Sequence, residues 1–253
     1  GAQFIPYFQP KIEMRSGMVK GVEALARWQH PELGLIPPAC FVEAMEQSRS
    51  LIHALTLSIA EQAINQCAMW NEKGLQLGVA INLSPLLLEN PDFIKELTQL
   101  PEKYAVPLKQ ITWEITESSV VDNVGNALGT LARLRLKGFG LSIDDYGTGF
   151  SSMQQLARIP FTELKIDRSF VNGACNHHHL AVILHSAVSL AEQLDMQTVA
   201  EGVETLDDWR LLQNLGCALA QGFFIAKPML GAEVFPWLID YRPRIAQLRS
   251  ATP

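Results

Sequence analysis

A set of polar residues recurs at one kind of position in this chain, at or near the end of a short apolar run. They are Glu23 in Val22-Glu23-Ala24-Leu25, Asn82 after Val79-Ala80-Ile81, and Glu114 within Thr112-Trp113-Glu114-Ile115-Thr116-Glu117. Asp144-Asp145 follows Leu141-Ser142-Ile143, Lys165 stands in Leu164-Lys165-Ile166-Asp167, Glu201 follows Thr198-Val199-Ala200, and Gln221 precedes Gly222. If these runs are neighbouring strands, the carboxylates converge, and converging carboxylates repel one another at low dielectric. A divalent cation removes that cost. Carboxylate and amide oxygens without Cys or His suit Mg2+ or Mn2+ rather than zinc. The adjacent aspartates Asp144 and Asp145 can reach two metals about 4 Å apart, an arrangement suited to in-line displacement at phosphorus. Lys165 could stabilise developing negative charge or position a water. Arg27, two residues past Leu25, could clamp a phosphate.

Other readings of the same residues stay open at this level. Lys165 could form a Schiff base, as in a barrel aldolase, or merely neutralise neighbouring acids. Asp144-Asp145 before Tyr146-Gly147-Thr148-Gly149 could be only a turn. Glu201 and Glu204, at a helix start, could simply favour the macrodipole. The tract His177-His178-His179 has the composition of a metal tract but follows Asn172-Gly173 at a helix start, and is read as a surface feature. The five tryptophans are read as mostly core.

The elements that must position these residues alternate regularly. Phe4 to Ile12 and Val19 to Trp28 read as two extended segments joined through Arg15-Ser16-Gly17, a hairpin-like turn. Helical segments follow over Pro38–Gln47 and Leu51–Lys73, the second stopping at Gly74. Strands are then expected over Leu77–Leu83, Ile111–Thr116, Gly140–Ile143, Thr162–Ile166, Gln197–Ala200 and Ala218–Phe223. Helices are expected over Asp92–Tyr104, Val124–Lys137, Ser152–Ala157, His179–Leu194, Leu206–Leu215 and Ala232–Ile239. About eight strands in 253 residues fit one modified (β/α)8 TIM-like barrel of class α/β, with one antiparallel strand near the N-terminus. A doubly wound open sheet is the alternative, though no GxGxxG follows an early strand.

Composition sets the outer bounds. Lys and Arg number 20 against 26 Asp and Glu, giving a net charge of -6, which argues against a generic DNA or RNA binder. Apolar residues make up 48% and charged residues 18%, a globular composition. No linker or repeat interrupts the chain, so residues 1–253 read as one domain with its motif-bearing core over about 4–240. No apolar run reaches the roughly 18 residues of a membrane span. Cys40, Cys67, Cys175 and Cys217 lie far apart and read as reduced core thiols, which suits a cytoplasmic domain. The opening Gly1-Ala2, without Met, is what a segment excised from a longer protein would show.

Taken together, the motifs resemble those of the EAL domains. The resemblance runs from about Tyr7 to Pro228, through Phe8-Gln9-Pro10, Gly21-Val22-Glu23-Ala24-Leu25-Ala26-Arg27-Trp28, His30-Pro31-Glu32-Leu33-Gly34 and Ile81-Asn82-Leu83-Ser84. It continues with Glu114-Ile115-Thr116-Glu117, Asp144-Asp145-Tyr146-Gly147-Thr148-Gly149-Phe150-Ser151-Ser152 and Leu164-Lys165-Ile166-Asp167-Arg168-Ser169-Phe170, and closes with Ala200-Glu201-Gly202-Val203-Glu204 and Ala220-Gln221-Gly222. A single Glu-Ala-Leu would mean nothing; the ordered set at barrel spacing is specific. The resemblance implies a bacterial cyclic di-GMP phosphodiesterase that uses two Mg2+ or Mn2+ ions to give linear 5′-pGpG. It implies that Glu23, Asn82, Glu114 and Asp144 hold one metal, with Asp144 bridging to a second held also by Asp145. Lys165 and Glu201 would position and activate the attacking water, with Glu204 and Gln221 in support. Gln9, Glu23, Leu25 and Arg27 would contact substrate, and Glu117 with Gly147, Thr148 and Gly149 would couple the site to dimer contacts. A homodimer, regulatory domains elsewhere in the full-length protein, and a full-length protein either soluble or tethered to the inner membrane are further implications. The contrasting expectation is a silent relative that binds cyclic di-GMP without cleaving it; such relatives lack metal ligands, and here each motif position carries a competent residue.

Overall fold

The computed structural model of the chain describes residues 3–117, 124–148, 156 and 158–250. Its strands are β1 (Phe4–Glu13), β2 (Val19–His30), β3 (Gly34–Ile36), β4 (Gly78–Asn82), β5 (Ile111–Thr116), β6 (Gly140–Tyr146), β7 (Glu163–Ile166), β8 (Gln197–Ala200) and β9 (Leu219–Ala220). Its helices are α1 (Val42–Glu46), α2 (Arg49–Glu72), α3 (Pro91–Lys103), α4 (Val124–Lys137), α5 (Arg168–Val171), α6 (His178–Gln193), α7 (Leu206–Asn214) and α8 (Gly231–Ser250).

Eight of the strands close into a barrel. From β2 through β4 to β9 the pairings are parallel. β1 runs antiparallel to both of its barrel neighbours, β2 and β9, and so closes the ring. The expected antiparallel strand is therefore β1. β3 lies outside the ring as an antiparallel addition to β2. β2 pairs with β4 only from Gly21 to Ala24, while its remainder pairs with β1 and β3. Glu23 is thus in mid-strand yet at the barrel rim, because the β1–β2 ribbon continues past the barrel.

Local chemistry explains the boundaries. The helix α2 ends at Gly74, whose φ of +75° reverses the chain while Leu75 N donates to Trp70 O at 2.9 Å. Asn90 caps α3 by accepting from Asp92 N and Phe93 N, with Pro91 in the first turn. Thr205 and Asp208 form a reciprocal capping box on α7. The outward faces of the strands and the inner faces of the helices share one apolar core, in which Trp70, Trp113 and Trp209 are buried; Trp28 and Trp237 are only partly so.

Three expectations need correcting. The last helix does not stop at Ile239 but runs to Ser250, through Pro236 and Pro243. The short pieces β3 and α5 were not expected, having too few residues to show a period. Only Cys67 and Cys217 are core thiols; Cys40 and Cys175 are exposed, and all four are free. Most of the helix expected over 152–157 lies outside the described residues. No helix among the described residues is long and apolar enough to cross a membrane.

Candidate functional site

Ladder partners share a face of the sheet, and the register sets one polar ring inside the barrel. Gln9 stands opposite Glu23, Asn82 opposite Glu114, and Thr116 opposite Asp144. Lys165 is inward on β7, while Glu201 and Gln221 immediately follow β8 and β9. Above this ring opens a cleft of about 860 Å3. Besides these polar groups its lining includes the apolar Val42, Ile52, Leu55, Ile59 and Leu83, with Glu43, Glu46 and Thr56 on the same helices.

Lys165 is the centre of the ring. Its Nζ lies 2.8 Å from Glu201 Oε1, 3.0 Å from Asp144 Oδ1, 3.1 Å from Glu114 Oε2 and 3.3 Å from Glu23 Oε2. Carboxylate oxygens of Glu23, Glu114 and Asp144 lie within 4.8 Å of one another, and so do those of Asp144, Asp145 and Glu201. Asp144 belongs to both groups. The adjacent aspartates reach the same cleft because β6 departs from regular pairing between Ile143 and Tyr146 and Asp145 takes a φ of +55°. In a regular strand successive side chains alternate faces, so the bulge is what aims both at one space. Asp144 Oδ1 accepts from Asp145 N at 2.9 Å, which fixes the turn.

An amide relay orients Glu23. The carbonyl of Ala226 can only accept, so Gln9 must present Nε2 to it, at 3.0 Å. Gln9 Oε1 then accepts from Gln221 Nε2 at 3.0 Å, and the same Nε2 donates to Glu23 Oε2 at 2.6 Å. Asn82 Nδ2 donates to the other oxygen, Glu23 Oε1, at 3.0 Å. The relay leaves Gln221 Oε1 buried without a partner, an acceptor on a residue of the cleft wall.

Two charged residues were not among those expected from sequence. Lys11 on β1 donates to Glu163 Oε1 and Oε2 on β7, at 2.9 and 3.2 Å, and reaches Glu114 Oε1 at 3.4 Å. The available signal was same-face alternation, since Lys11 follows Gln9 by two residues and Glu163 precedes Lys165 by two. Asp167 and Arg168, immediately after β7, also line the cleft.

With every group ionised, the six carboxylates Glu23, Glu114, Asp144, Asp145, Glu163 and Glu201 and the two ammonium groups of Lys11 and Lys165 together carry an excess of four negative charges. The proton affinities respond. Burial, then the charge of Glu23, pushes Glu114 well above the usual carboxylate range. Burial pushes Glu201 up to about 8 against the pull of Lys165, with Asp144 and Glu23 adding to the rise. Burial and the neighbouring Asp144 push Asp145 up to about 6. Burial acts on Glu23 in the same sense, but Lys165 and the Gln221 hydrogen bond outweigh it and hold that carboxyl at about 2. Burial opposes the charge on Lys165, yet Asp144, Glu114, Glu201 and Glu23 together raise it well above its ordinary value.

The remaining expected residues are placed as follows. Leu25 and Glu204 line the cleft. Arg27 stands outside the cleft wall, donating to Ala26 O at 2.9 Å with its guanidinium 5.8 Å from the Tyr7 ring centroid. Glu117 is buried, and its Oε2 accepts from Gly147 N at 2.8 Å. Thr148 Oγ1 donates to Asp145 O at 2.8 Å, so this loop is tied to the second aspartate. Gly149 lies outside the described residues. His177, His178 and His179 are exposed at the start of α6, away from the cleft.

A family model described as the EAL domain matches residues 1–228. The cyclic di-GMP phosphodiesterase PA2567 of Pseudomonas aeruginosa is 37% identical over 231 residues, covering 91% of this chain and 39% of that protein. The cyclic di-GMP phosphodiesterase RocR of the same organism is 34% identical over 227 residues, covering 90% of this chain and 58% of that protein. This chain therefore spans less than two thirds of the length of either relative. Among solved structures, the PaMucR phosphodiesterase in its c-di-GMP complex superposes with a TM-score of 0.87 at 35% identity, covering 92% of this chain and 94% of that one.

Proposed function

The chain belongs to the EAL domain family, and on that premise we propose that it hydrolyses one phosphodiester bond of cyclic di-GMP to give linear 5′-pGpG, using two Mg2+ or Mn2+ ions. The observation that carries this reading is the excess of four negative charges gathered on one rim from five strands, which two divalent cations would neutralise. The donors are oxygen atoms throughout, the set that hard cations prefer. Glu23, Asn82, Glu114 and Asp144 would hold one ion, and Asp144 with Asp145 the other. When bound, such ions supply Lewis-acid polarisation of the phosphoryl oxygens and lower the pKa of water.

The chain's own residues do the rest. The acidic wall would hold the cations that offset the charge of the phosphodiester, and the apolar side chains of α1 and α2 in the cleft, Val42, Ile52, Leu55 and Ile59, accept a nucleobase face. Lys165 Nζ and Glu201 Oε1 hold the attacking water in line with the departing 3′ oxygen. Water adds to phosphorus, the P–O3′ bond breaks, and Glu201 takes the water's proton while the leaving oxygen is protonated from solvent. Gln221 Oε1 offers its unpaired acceptor to a water or substrate N–H. Pairing of two copies through the loop anchored by Glu117, and control by other parts of a longer protein, belong to the same reading.

Incubation of the purified chain with cyclic di-GMP and Mg2+ or Mn2+, with an EDTA control, tests it by chromatography. Metal-dependent formation of linear pGpG is expected. Binding of cyclic di-GMP by calorimetry with no cleavage would replace the enzyme with a silent receptor.

A further inference from the structure

Beneath the cleft floor lies a pair that the hydrolytic scheme leaves unused. Lys11 and Glu163 are 5% and 7% exposed, and neither lines the cleft. Lys11 nevertheless reaches Glu114 Oε1, at 3.4 Å, while Lys165 holds Glu114 Oε2 at 3.1 Å. Glu114 is gripped by a separate ammonium on each oxygen. The terminal torsion of a glutamate is broad and roughly two-fold, so a carboxylate held at one oxygen alone can present either to a ligand. Two fixed cations remove that freedom. Glu163 in turn takes two hydrogen bonds from Lys11, which holds the ammonium at its station on β1 and offsets its burial.

We propose that Lys11, held by Glu163, is a positioning residue: it fixes the Glu114 carboxylate with Oε1 on Lys11 and Oε2 on Lys165, and thereby sets the affinity of the trio Glu23, Glu114 and Asp144 for a divalent cation. This rests on the metal-dependent reading above. Lys11 touches neither the cleft nor the reacting atoms, so its effect passes through Glu114. Partners that orient a metal ligand typically change metal affinity by about 10–100-fold when removed.

The test uses the double variant Lys11→Met/Glu163→Gln, which removes one positive and one negative charge and leaves the local sum unchanged. Mn2+ alone is titrated into the metal-free chain by calorimetry. Binding about 10–100-fold weaker than in the unchanged chain is expected. In turnover assays the Mn2+ concentration needed for half-activation should rise while KM for cyclic di-GMP stays constant. A purely structural pair would lower the unfolding temperature in EDTA and leave Mn2+ affinity unmoved, which would overturn the proposal. If the double variant does not fold, Lys11→Met serves: it removes a positive charge, which by itself would favour the cation, so weaker Mn2+ binding can come only from the lost hold on Glu114, and unchanged or tighter binding is the refuting result. Absence of Mn2+ binding by the unchanged chain would overturn both this inference and the metal-dependent reading; binding that the variants do not alter would overturn this inference alone.

Discussion

Cation binding to this chain should release protons, and the number follows from the site. Glu201 is pushed up to about 8 by burial, with Asp144 and Glu23 adding, and Asp145 up to about 6 by burial and Asp144. At pH 7 such groups are about nine-tenths and about one-tenth protonated, respectively. Burial and the charge of Glu23 raise the proton affinity of Glu114 in the same direction. A cation bound at Asp144 and Asp145 favours the ionised form of Asp145 and of the adjacent Glu201, so filling the site at pH 7 should expel about one proton from these two groups. The sign follows: protons compete with the cation, so affinity falls as pH falls, by about tenfold per unit for each proton displaced. Above pH of about 8 the contribution of Glu201 disappears. The same shift governs the metal-free fold. Folded Glu201 binds its proton more tightly than the unfolded group at 4.5, so its contribution favours folding at low pH and is lost as pH rises from 4.5 towards about 8. Calorimetric titration with Mg2+ at pH 7 in two buffers of different ionisation enthalpy reads the proton count from the difference in observed heat. Equal heats in the two buffers would refute the reasoning, as would a metal-free unfolding temperature that rises through this window.

Glu23→Ala removes a carboxylate shared by Lys165, Asn82 and Gln221; turnover should fall to background, and near-normal activity would contradict its assignment to a metal. Lys165→Ala should lower kcat more than it changes KM, and an effect confined to KM would contradict its place beside the attacking water. Ca2+ should inhibit in competition with Mg2+, because it favours looser, higher-coordinate shells; strong turnover in Ca2+ alone would count against the site. Gly147 has a φ of +100°, and a Cβ there would lie 2.6 Å from Phe170 Cε2. Gly147→Ala should therefore cost about 1–3 kcal/mol in thermal unfolding, and an unchanged unfolding temperature would show that the turn is slack.

Much of the fold was legible because its punctuation is local. The strands Ile111–Thr116 and Gln197–Ala200 and the helix Val124–Lys137 have the bounds expected, the helix stopping where Gly138 adopts a φ of +107°. The expected helix Ala232–Ile239 already spans Pro236; beyond its end Pro243 argues against continuation, yet the helix runs on to Ser250. Val234, Tyr241 and Leu248, seven residues apart, are all buried, and that apolar stripe carries the helix past both prolines, a tertiary effect that no local window contains. The site divides in the same way. Residues ending strands could be found from the barrel rule, since its chemistry collects at one rim. Lys11 could not. A lysine in an opening hairpin reads as solvated, and it is turned inward only because β1 closes the ring between β2 and β9, a contact made some two hundred residues away in sequence.

The central lysine explains how such a site can exist before any cation arrives. Four carboxylates would each face like charges a few ångströms away, a repulsion that low dielectric makes large. One ammonium within 3.3 Å of all four removes part of it, and the proton that Glu201 retains up to about pH 8 removes more. Both devices are replaceable. A cation entering among Glu23, Glu114 and Asp144 must share their oxygens with Lys165, whose positive charge opposes it, and must displace protons to do so. The site therefore has a built-in ceiling on affinity, suited to ions that exchange with the surrounding pool rather than to one locked in at folding. The ceiling is measurable: Lys165→Met should bind Mn2+ more tightly than the unchanged chain even as it loses turnover, because the competing charge is gone while every proposed ligand remains. Weaker binding in that variant would mean that Lys165 organises the carboxylates more than it competes for them.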